Sequence, residues 1–178
     1  MKFFETILFS WLTVFCISCH DQSRSQQTMP VDSLKEHLIN ANKLMVKDES
    51  KEIEEFISRH QWKMISTGSG LRYEIVKNGK GKKAEEKQQV SIAYSVYLLD
   101  GTLCYSSDQK APLVFTLGHG EQTRGLEEGI MLMHEGDEAR LVVPAHLGYG
   151  TLGDGNKVPR GQALYYQVTL LKVTTHHE

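Results

Sequence analysis

The sequence predicts an α+β fold: an antiparallel β-sheet of about five strands wrapped around one short helix, preceded by a short helical segment. Three observations carry this expectation. From Leu71 onward, apolar residues recur with period two, the mark of strands with one buried face. One stretch, Leu126, Ile130 and Met133, interrupts that alternation with helical spacing. Ahead of Thr67, the residues Leu34, Leu38, Ala41 and Met45 follow one helix face.

Residues 1–18 have the layout of a secretory leader. Lys2 gives a positive start, Glu5 is an acidic intruder, and the run from Thr6 to Ser18 is apolar. That run is shorter than the ~20 residues a membrane span needs. It ends in Cys16-Ile17-Ser18-Cys19, after which the chain turns polar. A small residue before a cysteine at the end of an apolar core resembles the bacterial lipoprotein box. The resemblance implies cleavage before Cys19 and acylation of Cys19, although Cys16 stands where the box usually has Leu. Residues 19–31 read as a polar tether.

Residues 32–68 read as the helical segment. Asp32 and Ser33 offer an N-cap, and Asp48-Glu49-Ser50 continues or restarts the helix ahead of a second stripe at Ile53, Phe56 and Ile57. Such a narrow stripe needs a larger partner. Docking on the following domain is the preferred reading; a weakly dimerising arm is the other. Gly68 to Gly70 closes the segment.

Residues 69–175 read as the β-rich domain, with 176–178 a polar tail. Its strands are expected at Leu71 to Ile75, Val90 to Leu98, Thr102 to Ser106, Leu113 to Leu117, Ala139 to Val143 and Leu164 to Leu170. Asp100-Gly101 signals a hairpin turn. Gly129, inside the short helix, costs about 1 kcal/mol relative to Ala there and implies close packing on the sheet.

Composition narrows the function classes. Across 178 residues, 20 Lys and Arg balance 22 Asp and Glu. That balance argues against nucleic acid as a dedicated partner, and the one dense basic stretch, Lys77 to Lys83, reads as a solvated turn. The three cysteines are Cys16, Cys19 and Cys104, so processing before Cys19 leaves Cys104 as the ordinary thiol. His119, His134 and His146 stand singly with no metal-ligand spacing, so no metal is expected. No nucleophile elbow or phosphate loop is present.

The motifs from Leu71 to Val173 resemble the FKBP family of peptidyl-prolyl cis/trans isomerases. They are Val90 to Tyr94, the Asp100-Gly101 turn with Ser106-Ser107, Phe115 to Gly118, Arg124 to Gly129, Met133 to Gly136, Leu147 to Gly150 and Val158-Pro159. The full layout resembles the lipoprotein branch found in bacterial envelopes, including isomerases associated with gliding motility. The resemblance implies an isomerase that needs no cofactor and acts on proline-containing segments of exported proteins. It would be anchored to the bilayer through acylated Cys19, at the outer membrane rather than the inner, facing periplasm or surface. The other function kept open is a noncatalytic chaperone or assembly module on the same scaffold.

Carried over from the family, Tyr94 and Tyr166 are wall aromatics, and the N–H of Thr123 and hydroxyl of Tyr149 are donors to substrate. Phe115 lies beside the pocket, Leu126 is its floor, and Val158 flanks it. Cys104, Tyr105, Leu113 and Gln122 complete the substrate-binding set at positions where this sequence departs from the family. The family has an aromatic and an Asp where Cys104 and Tyr105 stand, Trp at Leu126, Phe at Leu113, and an apolar pair at Gln122-Thr123. The expected pocket is less aromatic, more polar and without its carboxylate.

Overall fold

The structure is a computed structural model that describes residues 31–174. The leader, Cys19, the tether ahead of Val31 and the tail at 176–178 lie outside the described residues. Two compact units divide between Ile39 and Asn40, and the fold below is that of the second.

The helical segment is one helix, α1 (Val31–Arg59), with Asp32 and Ser33 inside it rather than at a cap. The chain does not break at Asp48 to Ser50, because Glu49 and Ser50 face the domain. Glu49 Oε1 accepts the N–H of Ala145 at 2.5 Å, and Ser50 Oγ accepts from Arg72 Nη2 at 3.4 Å. Beyond Arg59 the segment expected as helical is irregular and holds a two-residue strand, β1 (Ile65–Ser66). Leu38 and Ala41, expected on a packed face, are exposed. No helix among the described residues is long and apolar enough to cross a membrane.

The remaining strands are β2 (Arg72–Lys77), β3 (Gln89–Leu98), β4 (Leu103–Ser107), β5 (Leu113–Thr116), β6 (Glu138–Val143) and β7 (Leu164–Thr174). They form one antiparallel sheet of order β1-β2-β6-β7-β3-β4, with β5 also on β3. Both β4 and β5 lie on the same side of β3: Tyr94 to Tyr97 pair with β4, and Gln89 to Ile92 pair with β5. The sheet therefore has the five expected ranks, with β1 added at one edge. The hairpin between β3 and β4 turns at Gly101, whose φ is +92°. There the Asp100 carboxylate accepts the Thr102 N–H at 2.8 Å, which holds it below the usual carboxylate range.

One face of the sheet closes over α2 (Arg124–Met131). Leu71, Val90, Ile92, Val96, Leu141, Leu164, Tyr166 and Leu170 meet Leu126, Ile130 and Met133 there in one core. The helix comes in flat because Gly125 and Gly129 carry no side chain against Val143 and Leu141.

The opposite face is covered in part by the second half of α1. Ile53, Phe56 and Ile57 bury against Val142, Ala163 and Tyr165, with Trp62 and Tyr97 beside them. Burying each such apolar side chain contributes about 1.5–3 kcal/mol. Strand β6 consequently reads Leu141-Val142-Val143 without alternation: it is buried on both faces.

Candidate active site

The site begins with two neighbouring strands. In the β3–β7 ladder Tyr94 pairs with Val168 and Val96 with Tyr166, so Tyr94 and Tyr166 sit diagonally on one face. Their ring centroids are 6.4 Å apart and tilted by 30°. Burial pushes the Tyr166 hydroxyl far above the ordinary phenol range. It pushes that of Tyr94 up as well.

The floor comes from α2. Thr123 is its N-cap, with extended backbone (φ −62°, ψ 143°), and its carbonyl accepts the N–H groups of Leu126 and Glu127. Its side chain makes no capping bond. Thr123 Oγ1 is instead buried with no hydrogen-bond partner among the described residues, although the Tyr166 hydroxyl is near enough to interact with it. The buried Glu127 instead holds the chain ahead of the helix: its two oxygens accept the N–H of Gly118 at 3.0 Å and of Gln122 at 3.1 Å. That fixes the turn delivering Gln122 and Thr123, and leaves the Thr123 N–H without an acceptor among the described residues. Leu126, expected as the floor, then drops into the buried core.

Strands β4 and β5 supply the far wall. Leu113 and Phe115 come from β5. On β4 the register shifts opposite Val96 and Tyr97, and Cys104 is the residue left unpaired. This bulge lets the consecutive Cys104 and Tyr105 both join the inner cluster. Cys104 is buried, and burial raises its thiol above the ordinary range, so it is an inert wall.

The remaining wall is the loop after a short 3-10 turn (Ala145–Leu147). It presents Tyr149 and, further on, the buried Val158. Among the described residues the Tyr149 hydroxyl has no partner; burial, then the Asp154 carboxylate, raises its pKa.

The structure thus gathers Tyr94, Cys104, Tyr105, Leu113, Phe115, Leu126, Tyr149, Val158 and Tyr166 in one cluster, with Gln122 and Thr123 on the turn leading into its helix. No Asp stands at the Tyr105 position itself, but a carboxylate is brought beside it: Tyr105 Oη donates to Asp154 Oδ2, from the loop after Tyr149. Comparison position by position misses it, since the acid lies 49 residues further along the chain from its partner.

A family model described as FKBP-type peptidyl-prolyl cis-trans isomerase matches residues 80–171. The chain is similar to the FK506-binding protein of Neisseria meningitidis serogroup B, with 38% identity over 105 residues, 58% of this chain and 96% of that protein. It is also similar to the peptidyl-prolyl cis-trans isomerase FKBP2 of Mus musculus, with 38% identity over 97 residues, 54% of this chain and 69% of that protein. Among solved structures, FkpA from Escherichia coli superposes with a TM-score of 0.63 at 28% identity, covering 81% of this chain and 70% of that one.

Proposed function

The chain belongs to the FKBP-type peptidyl-prolyl cis-trans isomerase family, and from that premise we propose that it isomerises Xaa-Pro bonds of exported proteins in a bacterial cell envelope. Rotation about such a bond crosses a barrier of ~18–20 kcal/mol set by amide resonance. The planar amide is more polar than the twisted one, so an apolar cleft disfavours the ground state more than the transition state. Tyr94, Phe115, Leu126, Val158 and Tyr166 receive the proline ring. The Thr123 N–H holds a substrate carbonyl, and the Tyr149 hydroxyl donates to the rotating one. No step needs a nucleophile or a cofactor.

One observation carries this reading: among the described residues, two polar hydrogens, on Thr123 N and Tyr149 Oη, have no acceptor beside a mostly apolar cluster. Exchange measurements on Leu-Pro and Phe-Pro peptides test it. The protein accelerates exchange, and Tyr149→Phe reduces the acceleration about 2- to 10-fold, the worth of one hydrogen bond. No acceleration at high protein concentration returns the domain to a binding role. That second reading draws on the buried Thr123 hydroxyl, which makes the cleft more polar, and on the Leu126 floor, which offers less contact area than an aromatic would.

The envelope location rests on Ile17-Ser18-Cys19 and the polar stretch after it. Labelled fatty acid enters the wild type and not Cys19→Ala; incorporation into the variant refutes the anchor. Leu44 and Val46 are exposed on α1, which supports a reading of weak self-association through this segment, to be tested by sedimentation across a concentration series.

A further inference from the structure

We propose that Tyr105 and Asp154 act as a pair of positioning residues, fastening the loop that carries Tyr149 and Val158 to the β4 wall of the cleft. The proposal rests on the isomerase reading of that cleft. The two oxygens of Asp154 have separate tasks. Oδ1 folds the loop on itself, accepting the N–H of Asn156 at 2.9 Å and of Val158 at 2.8 Å. The Asp154 N–H returns a bond to the Val158 carbonyl at 3.1 Å. Oδ2 reaches out of the loop and accepts the Tyr105 hydroxyl. Asn156 Nδ2 approaches the same hydroxyl at 3.3 Å, and Lys157 Nζ stands 5.1 Å from the Tyr105 ring centroid. Cys104 Sγ adds a weak contact to the Lys157 carbonyl at 3.8 Å.

The loop needs such a fastener. Gly150, Gly153 and Gly155 all have positive φ, between +62° and +73°, and the space around Gly150 and Gly155 is open. Packing therefore does little to hold Gly150 and Gly155, although Gly153 lies close to the Val158 and Pro159 backbone and Val158 is buried, and glycine gives the stretch the greatest backbone freedom. Beyond the loop's own bonds, its tie to β4 is the phenol–carboxylate bond with its Asn156 and Lys157 neighbours. A charge-assisted bond of this kind is about twice as strong as a neutral one. Its consequence is geometric: Val158 stays against the cleft and Tyr149 is held at its edge.

The test compares Tyr105→Phe, which deletes only the hydroxyl, with Asp154→Asn, which keeps an oxygen for the Asn156 and Val158 N–H groups, and with the double variant. Each single change raises KM for a Leu-Pro peptide about 3- to 10-fold and leaves kcat within about 2-fold. The double variant is no worse than the worse single one, because both remove the same bond. Amide hydrogen exchange at Asn156 and Val158 quickens in Tyr105→Phe, a readout independent of turnover. Unchanged KM in an active protein, multiplying effects in the double variant, or unchanged exchange each overturn the proposal. A wild type without acceleration overturns the isomerase reading instead, and the exchange arm still decides whether the pair holds the loop.

Discussion

Gly129 of α2 lies directly against Leu141 of β6: a Cβ at Gly129 would overlap Leu141 Cδ1 and stand 2.9 Å from Cδ2. Leu141 is fully buried. Gly129→Ala gains about 1 kcal/mol of helix propensity. It also overpacks the core, which typically costs about 1–3 kcal/mol. The approach reaches both methyls and Cγ of Leu141, so the overlap wins. The expected net loss is the difference between the two, up to about 2 kcal/mol, read as a lower urea midpoint. A midpoint equal to or above wild type would mean that helix and sheet part freely here.

The second half of α1 belongs to the domain's stability. Ile53 is buried against a sheet face that includes the fully buried Val142. Ile53→Ala should lower stability by about 2–5 kcal/mol, the range for losing such a side chain from a core. A fragment starting near Gly68 keeps the inner core around Leu126 and Leu141 but exposes Val142, Ala163 and Tyr165. It should still unfold cooperatively, at a clearly lower midpoint. An unchanged midpoint would show that α1 only rests on the sheet.

The difference between the two faces explains what the sequence makes legible. Strands with one face in the inner core alternate, so Val90 to Leu98 and Leu164 to Leu170 can be read directly. Gly129 announces its close contact because a glycine inside a helix needs a reason. β1 carries no such signal, being two exposed residues held by pairing with Arg72 and Tyr73. Val142, Tyr165 and Tyr97 break the alternation, and that off-phase apolar set was the available sign of a second covered face. Glu49 and Ser50 resemble a helix break by composition, but tertiary bonds hold them inside one helix. At the site, family positions brought the cleft residues together, whereas Asp154 came from a contact that no single position reveals.

The buried Thr123 hydroxyl makes a prediction of opposite sign to most core substitutions. Thr123→Val keeps the shape, leaves the backbone N–H in place and removes an oxygen without a hydrogen-bond partner. Leaving such a group unsatisfied costs about 1–3 kcal/mol. The variant should therefore melt higher. It should isomerise Leu-Pro peptides at least as fast, since the cleft becomes more apolar while the donor remains. A lower melting temperature would mean that the hydroxyl has a bond to Tyr166 worth keeping.

The last prediction concerns the family's carboxylate position. The family has Asp where Tyr105 stands, which suggests Tyr105→Asp as a repair. The structure argues the reverse. Asp154 already supplies the acid, and the Tyr105 hydroxyl is the main reason its carboxyl is held below the usual range. The sign of the wild-type pH dependence follows. With the folded value depressed, the contribution of the pair is fully present above the ordinary carboxylate pKa of ~3.9 and is lost as pH falls through the lower folded value. Wild-type KM should be flat from neutral pH down to about 5. Tyr105→Asp replaces the donor by a second acid facing the first. At neutral pH the two repel and the loop loses its tie to β4. As pH falls, one of them takes up a proton at a pKa raised by the other and the repulsion ends, but the carboxyl, on a side chain much shorter than the phenol, does not remake the tie. KM of Tyr105→Asp should therefore be raised at pH 7 and fall as pH approaches 5 to the level of Tyr105→Phe, which stays raised throughout. If Tyr105→Asp instead turns over faster than wild type at pH 7, Asp154 is not the cleft's working carboxylate.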